Sequence, residues 1–388
     1  MINRMNIPAE FDHIRPYTPE ELPQVYEELI ADPAFQQVAT TILPYPFEMI
    51  AAQMRQCRTN LQFEKTFFYD FIKNLLSKNS SGMTQDFSKV PDKTKNYLFI
   101  SNHRDIVMDP ALLSVAIIDA GWENTTEIAI GDNLLAYPWI KRLVRILKAF
   151  IVLRGLTGRQ QLEVLTTMSR YIHFAVAEKH ENVWIAQRQG RAKDSNDRTQ
   201  ESILKMLTIG GEGSYVDRLK ELNIVPLSLS YEYDPCDYLK ARELQQRRDQ
   251  AHFHKAEGED VNSMKTGILG FKGKIHFQAA PCINDEIDRL AELYPKKTDF
   301  YPALTRLMDE QIFSNYRIYP NNYVALDWLQ GQERYADHYT PEDKERFTGY
   351  IHQQMSKIEL PEKDEAFLLT QLLRMYANPL INYLSTQP

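Results

Sequence analysis

The chain has 388 residues, 43% hydrophobic and 25% charged, the composition of a globular protein with one large and one smaller domain, or two to three modest ones. A formal net charge of −7 argues against a broad nucleic-acid footprint, while leaving room for a local basic pocket or for contact with a membrane. Cys57, Cys236 and Cys282 are the three cysteines; their wide spacing argues against a disulfide framework or a zinc cluster and suits a reducing cytoplasm.

The opening residues, MINRMNIPAEFDHIRPYTPEEL, hold no apolar core of the signal-peptide kind. No apolar run approaches the ~18–20 residues that span a bilayer. The best candidates, 110–120 and 143–153, are too short or carry Arg145 and Lys148. The expected location is cytoplasmic, with peripheral contact at the inner face of the membrane allowed.

Residues 1–85 read as an N-terminal helical domain. Leu22, Val25, Tyr26, Leu29 and Ile30 share one helical face, as do Phe68, Phe71, Ile72, Leu75 and Leu76. Pro33, Pro44 and Pro46 punctuate these segments. The stretch 77–95 is a polar connector with room for one edge strand.

Residues 86–300 change character and predict an α/β domain with a mostly parallel, mixed sheet flanked by helices. Short apolar runs at 97–101, 127–130, 149–153, 182–186, 224–230 and 274–278 alternate with helical patterns. Between them, 110–118 is apolar all round, and Leu162, Leu165, Met168, Ile172 and Val176 recur at helical spacing. The segment 240–265, KARELQQRRDQAHFHKAEGEDVNSMK, reads as a charged insertion. Solvated helix and loop is its default reading. Residues 301–388 form a helical C-terminal extension, with Thr340-Pro341-Glu342 as a capped helix start.

Four stretches carry the candidate chemistry. In YLFISNHRDIVMDPALL, a strand runs into a polar turn holding His103, Asp105 and Asp109. An imidazole there can take a proton from a hydroxyl while a carboxylate on its other nitrogen fixes the tautomer. Asp109 is the favoured partner; it also reads simply as a helix cap before Pro110. Asp105 is the rival. In VWIAQRQGRAK, a buried strand ends in Arg188, Gly190, Arg191 and Lys193, which suits a phosphate or carboxylate as well as it suits a solvated basic loop. FIVLRG ends in Arg154, by itself an ordinary surface arginine. NIVPLSLSYEYD reads as a core strand, with Pro226 marking an edge, a bulge or a lining position. The sequence lacks a Gly-x-Ser-x-Gly elbow, a Walker-type loop and a Gly-x-Gly-x-x-Gly turn. His252 and His254 are a bare pair, and Asp194 to Asp197 lacks the glycine and glutamate of a calcium loop, so no metal is expected.

In chain order the four stretches resemble the blocks of the glycerolipid acyltransferase family. Asn102-His103 with the following Asp-Pro-Ala is similar to its Asn-His-(four residues)-Asp block. Phe150 to Gly155 and Ile224 to Leu229 are similar to its second and fourth blocks. Trp184-Ile185-Ala186 with Gly190-Arg191-x-Lys193 resembles the signature of the soluble plastid glycerol-3-phosphate acyltransferases. The resemblance covers roughly 96–235. It implies His103 as general base and Asp109, or its rival Asp105, as the partner. It implies Asn102, Arg154, Arg188, Gly190, Arg191 and Lys193 as substrate-binding residues, with Arg191 and Lys193 on the phosphate.

The implied donor is an acyl carrier protein or coenzyme A thioester, with no further cofactor. The implied acceptor is a phosphorylated glycerol or a lyso-lipid. The chain departs from the pattern in three places: one extra residue between His103 and Asp109, Gln189 in place of Glu, and Lys193 in place of Arg. Two alternatives follow: acylation of another lyso-lipid, such as an amino-acid lipid, and a non-catalytic lipid or acyl-carrier binding protein.

Overall fold

A computed structural model describes residues 7–43, 45–256 and 258–387. Pro44 and the first six residues of the amino terminus, both used above, lie outside the described residues. Seven strands form one sheet: β1 (Met83–Asp86), β2 (Leu98–Ser101), β3 (Thr126–Gly131), β4 (Ala149–Val152), β5 (Asn182–Ala186), β6 (Ile224–Tyr231) and β7 (Ile275–Ala279). The spatial order is β1-β7-β6-β2-β5-β3-β4. Every pairing is parallel except β6 with β7. The expected mixed, mostly parallel sheet flanked by helices is therefore present, and the predicted connector strand is β1, at the sheet edge.

Strands buried on both faces need apolar side chains on both, which is why they read as short continuous runs. One face packs under helices Gly158–His173, Tyr215–Glu221, Asn284–Leu293 and Lys297–Phe313, around Ile100, Phe150, Tyr171 and Phe300. The other packs under Met108–Asp119 and Asp70–Asn79, around Phe99, Leu113, Trp184 and Phe277. The first of these two helices is largely buried, with Ala111, Ser114 and Ile118 only partly covered and Asp119 exposed.

Before β1 the chain is helical, with Tyr26, Phe35, Met54 and Phe63 forming a separate apolar cluster that also takes in Ile146. Asn60 Nδ2 donates to the Ile146 carbonyl at 2.9 Å, and the Thr125 hydroxyl donates to buried Glu64 at 2.6 Å, tying these helices to the sheet. The last helices, Pro320–Gln330, Pro341–Ser356 and Glu365–Leu384, share another cluster around Phe347, Leu372 and Tyr376. Thr340 caps Pro341–Ser356 in a reciprocal box with Asp343, bearing out that helix start. Among the described residues, no helix is long and apolar enough to cross a membrane.

The fourth stretch is the core strand it reads as, and β6 is buried along its whole length. Pro226 sits in a central strand, opposite Ile100 of β2. A strand residue points its N–H and C=O to the same side. The Pro226 carbonyl accepts from Ala280 at 2.9 Å, where the chain has just left β7. The missing donor therefore falls beyond the end of the ladder, where no partner strand needs it. The segment 240–265 is helix and loop, as expected, within helices Asp237–Asp249 and Glu259–Leu269; residues 247–252 are exposed, but Lys240, Ala241, Glu243 and Gln245 are buried, so its start is not solvated.

Candidate active site

The loops after β2, β5 and β6 leave the sheet at one end because these neighbouring strands are parallel. Ligands in such sheets sit beyond the carboxyl ends of the strands. Ser101, the last residue of β2, lies level with Ala186 of β5, and its carbonyl accepts from Gln187 N–H at 2.8 Å. Asn102 then prolongs the pairing with its side chain. Its Nδ2 donates to the Leu229 carbonyl at 2.9 Å, and its Oδ1 accepts from Leu229 N–H at 2.8 Å. The carboxamide imitates one more residue of strand against β6, so the backbone is free to turn at His103. Asn102 is thus placed as the hinge of the turn, with its polar atoms on the sheet.

His103 Nδ1 lies 2.7 Å from Asp109 Oδ2. The ring packs edge-on to Trp184 at 5.5 Å between centroids, and the Trp184 indole N–H donates to Ser101 Oγ at 2.9 Å. Asp109 is 0% exposed. The extra residue before it is absorbed by wrapping the backbone around the carboxylate. Arg104 and Asp105 N–H groups donate to Oδ2 at 2.6 and 3.0 Å, and the Tyr231 hydroxyl donates to Oδ1 at 2.7 Å. Burial and Asp109 hold the Tyr231 hydroxyl well above its ordinary pKa, so it stays a donor.

Asp105 does something else. Its Oδ1 accepts from Val107 and Met108 N–H at 2.9 and 2.8 Å, at the start of the Met108–Asp119 helix. Asp105 therefore supplies the capping bonds expected of Asp109, and Pro110 stands third in the helix rather than first. Burial, reinforced by Asp109, pushes the Asp105 carboxyl up.

The β5 loop supplies the cations. Gly190 adopts φ +71°, a left-handed turn that favours glycine. Arg188 leans on buried Asp197, with Nη1 at 4.0 Å from Oδ1. Asp197 also accepts from His103 N–H and Ala192 N–H, each at 3.3 Å, and so binds the β5 loop to the β2 turn. Lys193 Nζ pairs with Glu243 Oε2 at 2.7 Å. Burial, with Arg191 beside it, pulls the Lys193 ammonium down to about 8 against the opposing pull of Glu243. Arg191 is partly buried, and its Nη1 has no hydrogen-bond partner.

Arg154 follows β4, three strands from β2, so roughly 14 Å separates the two strands at about 4.8 Å per step. It is exposed, and its backbone N–H donates to Asp132 at 3.0 Å. The fold brings His103 and Asp109 together and sets the β5 loop beside them. It leaves Arg154 apart.

The chain can now be set beside known proteins. Residues 84–202 match the family model described as "Acyltransferase". The match spans β1 to the loop after β5 and takes in His103, Asp109, Arg154, Arg191 and Lys193. This segment, under a third of the chain, is thus similar to an acyltransferase domain. Among solved structures, the chain is similar to the 1-acyl-sn-glycerophosphate (LPA) acyltransferase of Thermotoga maritima, at 12% identity and a TM-score of 0.34, over 71% of this chain and 93% of that one. At that score the likeness decides nothing further. No curated protein matches the chain.

The matched segment does not build its site alone. Tyr231, Asp197 and the 237–269 helix pair all reach it, and the sequence reading names none of them as part of the site. Lys240 Nζ donates to the Arg104 carbonyl at 2.9 Å and pairs with Asp234 at 2.5 Å. Gly267 is pressed so closely on the turn that a Cβ there would lie 1.9 Å from Asp105 Oδ2. Tyr231 has one sequence signal, its position at the end of NIVPLSLSYEYD. Asp197 lies in the segment set aside as a failed calcium loop. The two helices gave no signal beyond charge.

Proposed function

We propose that the chain moves a fatty acyl group from an acyl carrier protein or coenzyme A thioester to a hydroxyl of glycerol-3-phosphate or a lysophosphatidate-type acceptor. The observation that carries this reading is the 2.7 Å contact between His103 Nδ1 and buried Asp109 beside a loop bearing Arg191 and Lys193.

With Nδ1 donating to Asp109, Nε2 is the free base. It takes the proton of the acceptor hydroxyl as that oxygen attacks the thioester carbonyl. The tetrahedral intermediate collapses, the C–S bond breaks, and the imidazolium returns the proton to the leaving thiolate. The products are an ester and a free thiol, and His103 ends as it began. Asp109 stabilises the imidazolium while it lasts.

No acyl-enzyme is required. Cys236 is buried, and its thiol is pushed up to about 12 by burial and by Asp234. A thiol held so high is a poor nucleophile.

Arg191 and Lys193 are assigned to the acceptor phosphate. Replacing Arg191 by Ala is expected to raise the acceptor KM about 10–100-fold, the weight of one charge-assisted hydrogen bond, with a smaller change in kcat. An unchanged acceptor KM removes Arg191 from the phosphate.

Lys193 adds a pH dependence. It is protonated below about 8 and loses its charge above that. The acceptor KM should therefore climb as pH rises through this range. In Lys193→Arg the inflection should vanish, because guanidinium stays charged.

The reading as a whole is tested by thiol release from palmitoyl thioesters with glycerol, glycerol-3-phosphate and lysophosphatidate as acceptors. Turnover should require the phosphate. Equal rates with glycerol and glycerol-3-phosphate would refute a phosphorylated acceptor.

A further inference from the structure

Helices Asp237–Asp249 and Glu259–Leu269 roof a small cavity whose floor includes Arg191 and Lys193. Among the described residues lining it, five are cationic and two are carboxylates. Most of these charges are already paired within the protein. Lys193 is on Glu243 at 2.7 Å, Lys255 is 3.7 Å from the same carboxylate, and Arg242 pairs with Glu259 at 2.8 Å.

Two guanidinium groups are incompletely used. Arg191 Nη1 and Arg242 Nε are both buried without a hydrogen-bond partner. Buried donors in folded proteins nearly always have partners, and two orphaned guanidinium nitrogens on residues lining one cavity mark a place where an acceptor is missing. Guanidinium groups offer planar, fixed donors matched to phosphate oxygens. Arg242 lies outside all four sequence blocks and outside the 84–202 match.

We infer that the helix pair completes the acceptor site: Arg242 is a second guanidinium ligand, with Arg191, for a phosphate monoester. Glu243 is the internal carboxylate that this phosphate displaces from Lys193. The inference rests on the proposed function and extends it to a residue that binds substrate from the roof. A phosphate monoester brings two charges to Lys193 where Glu243 brings one, and its remaining oxygens reach the two unpaired guanidinium nitrogens. The exchange replaces one ion pair by a larger set of charge-assisted bonds. Lys240, held by Asp234 and the Arg104 carbonyl, ties the roof to the His103 turn. A phosphate held under this roof is therefore fixed relative to the turn that carries the base.

The test uses the full chain. Acceptor and donor KM and kcat are measured for glycerol-3-phosphate in solution and for lysophosphatidate in mixed micelles. Inorganic phosphate binding is measured by calorimetry. Arg242→Gln should raise the KM of the phosphorylated acceptor about 10–100-fold and weaken phosphate binding similarly, with the donor KM unchanged. Whichever acceptor shows the shift identifies the source of the phosphate. Glu243→Gln works in the opposite direction and keeps the shape of the site, so it covers the case in which Arg242→Gln does not fold. Losing the resident carboxylate should tighten phosphate binding several-fold.

If Arg191→Gln weakens phosphate binding but Arg242→Gln does not, the roof takes no part and the inference is overturned while the acceptor reading stands. Unchanged phosphate affinity in Glu243→Gln overturns it equally. If neither arginine affects a phosphorylated acceptor, the acceptor reading itself has failed.

Discussion

His103→Ala is expected to lower kcat by ~10²–10⁴-fold, the usual worth of a positioned general base, with little change in thermal stability. The split follows from the surroundings. The His103 side chain is 15% exposed and contributes one of three hydrogen bonds to Asp109 Oδ2; the other two come from Arg104 and Asp105 N–H groups, which the substitution leaves in place. The wrapped turn should therefore survive without the imidazole. Thiol release and a thermal melt on the same preparation check both halves. A folded His103→Ala protein with full activity would remove His103 as the base.

Asp109 should divide in the opposite way according to the replacement. In Asp109→Ala, the Arg104 and Asp105 N–H groups and the Tyr231 hydroxyl lose their shared acceptor inside the protein. Each unpaired buried donor costs about 1–3 kcal/mol, so a loss of several kcal/mol and a clearly lower Tm are expected. In Asp109→Asn, the amide oxygen can take the Oδ2 position and keep the backbone donors, while its NH₂ donates to the Tyr231 oxygen. Stability should then fall much less.

The missing negative charge should still be felt in kcat, because nothing then stabilises the imidazolium formed as the acceptor loses its proton. Circular dichroism melts and kcat for the two variants separate scaffold from chemistry. An Asn variant with wild-type kcat would reduce Asp109 to a structural role.

These expectations trace back to unequal legibility along the chain. The buried strands could be read directly, because a parallel strand covered on both faces needs apolar side chains in succession, and 182–186 falls on β5 residue for residue. The histidine could be read because it follows such a strand. The Asp109 partnership was one of two readings. Capping chemistry decided it in favour of Asp109, since Asp105 takes the helix start and leaves Asp109 facing the ring. Pro226 is tolerated in a core strand because the neighbouring strand ends beside it, and a sequence does not show where that strand ends.

The sequence by itself determined the sheet's class, the strand–turn–helix that carries His103, and the basic loop after β5. All of these rest on periodicity and turn chemistry within a few residues. Tertiary structure alone decided which distant groups close around the turn. Tyr231 reaches Asp109 across 122 positions, and Lys240 reaches Arg104 across 136. Such contacts depend on strand order and on the packing of the 237–269 helices. A charged helix reads the same in sequence whether it faces water or roofs a site. The difference lies in whether its charges find partners at buried distances, and only the folded chain supplies those distances.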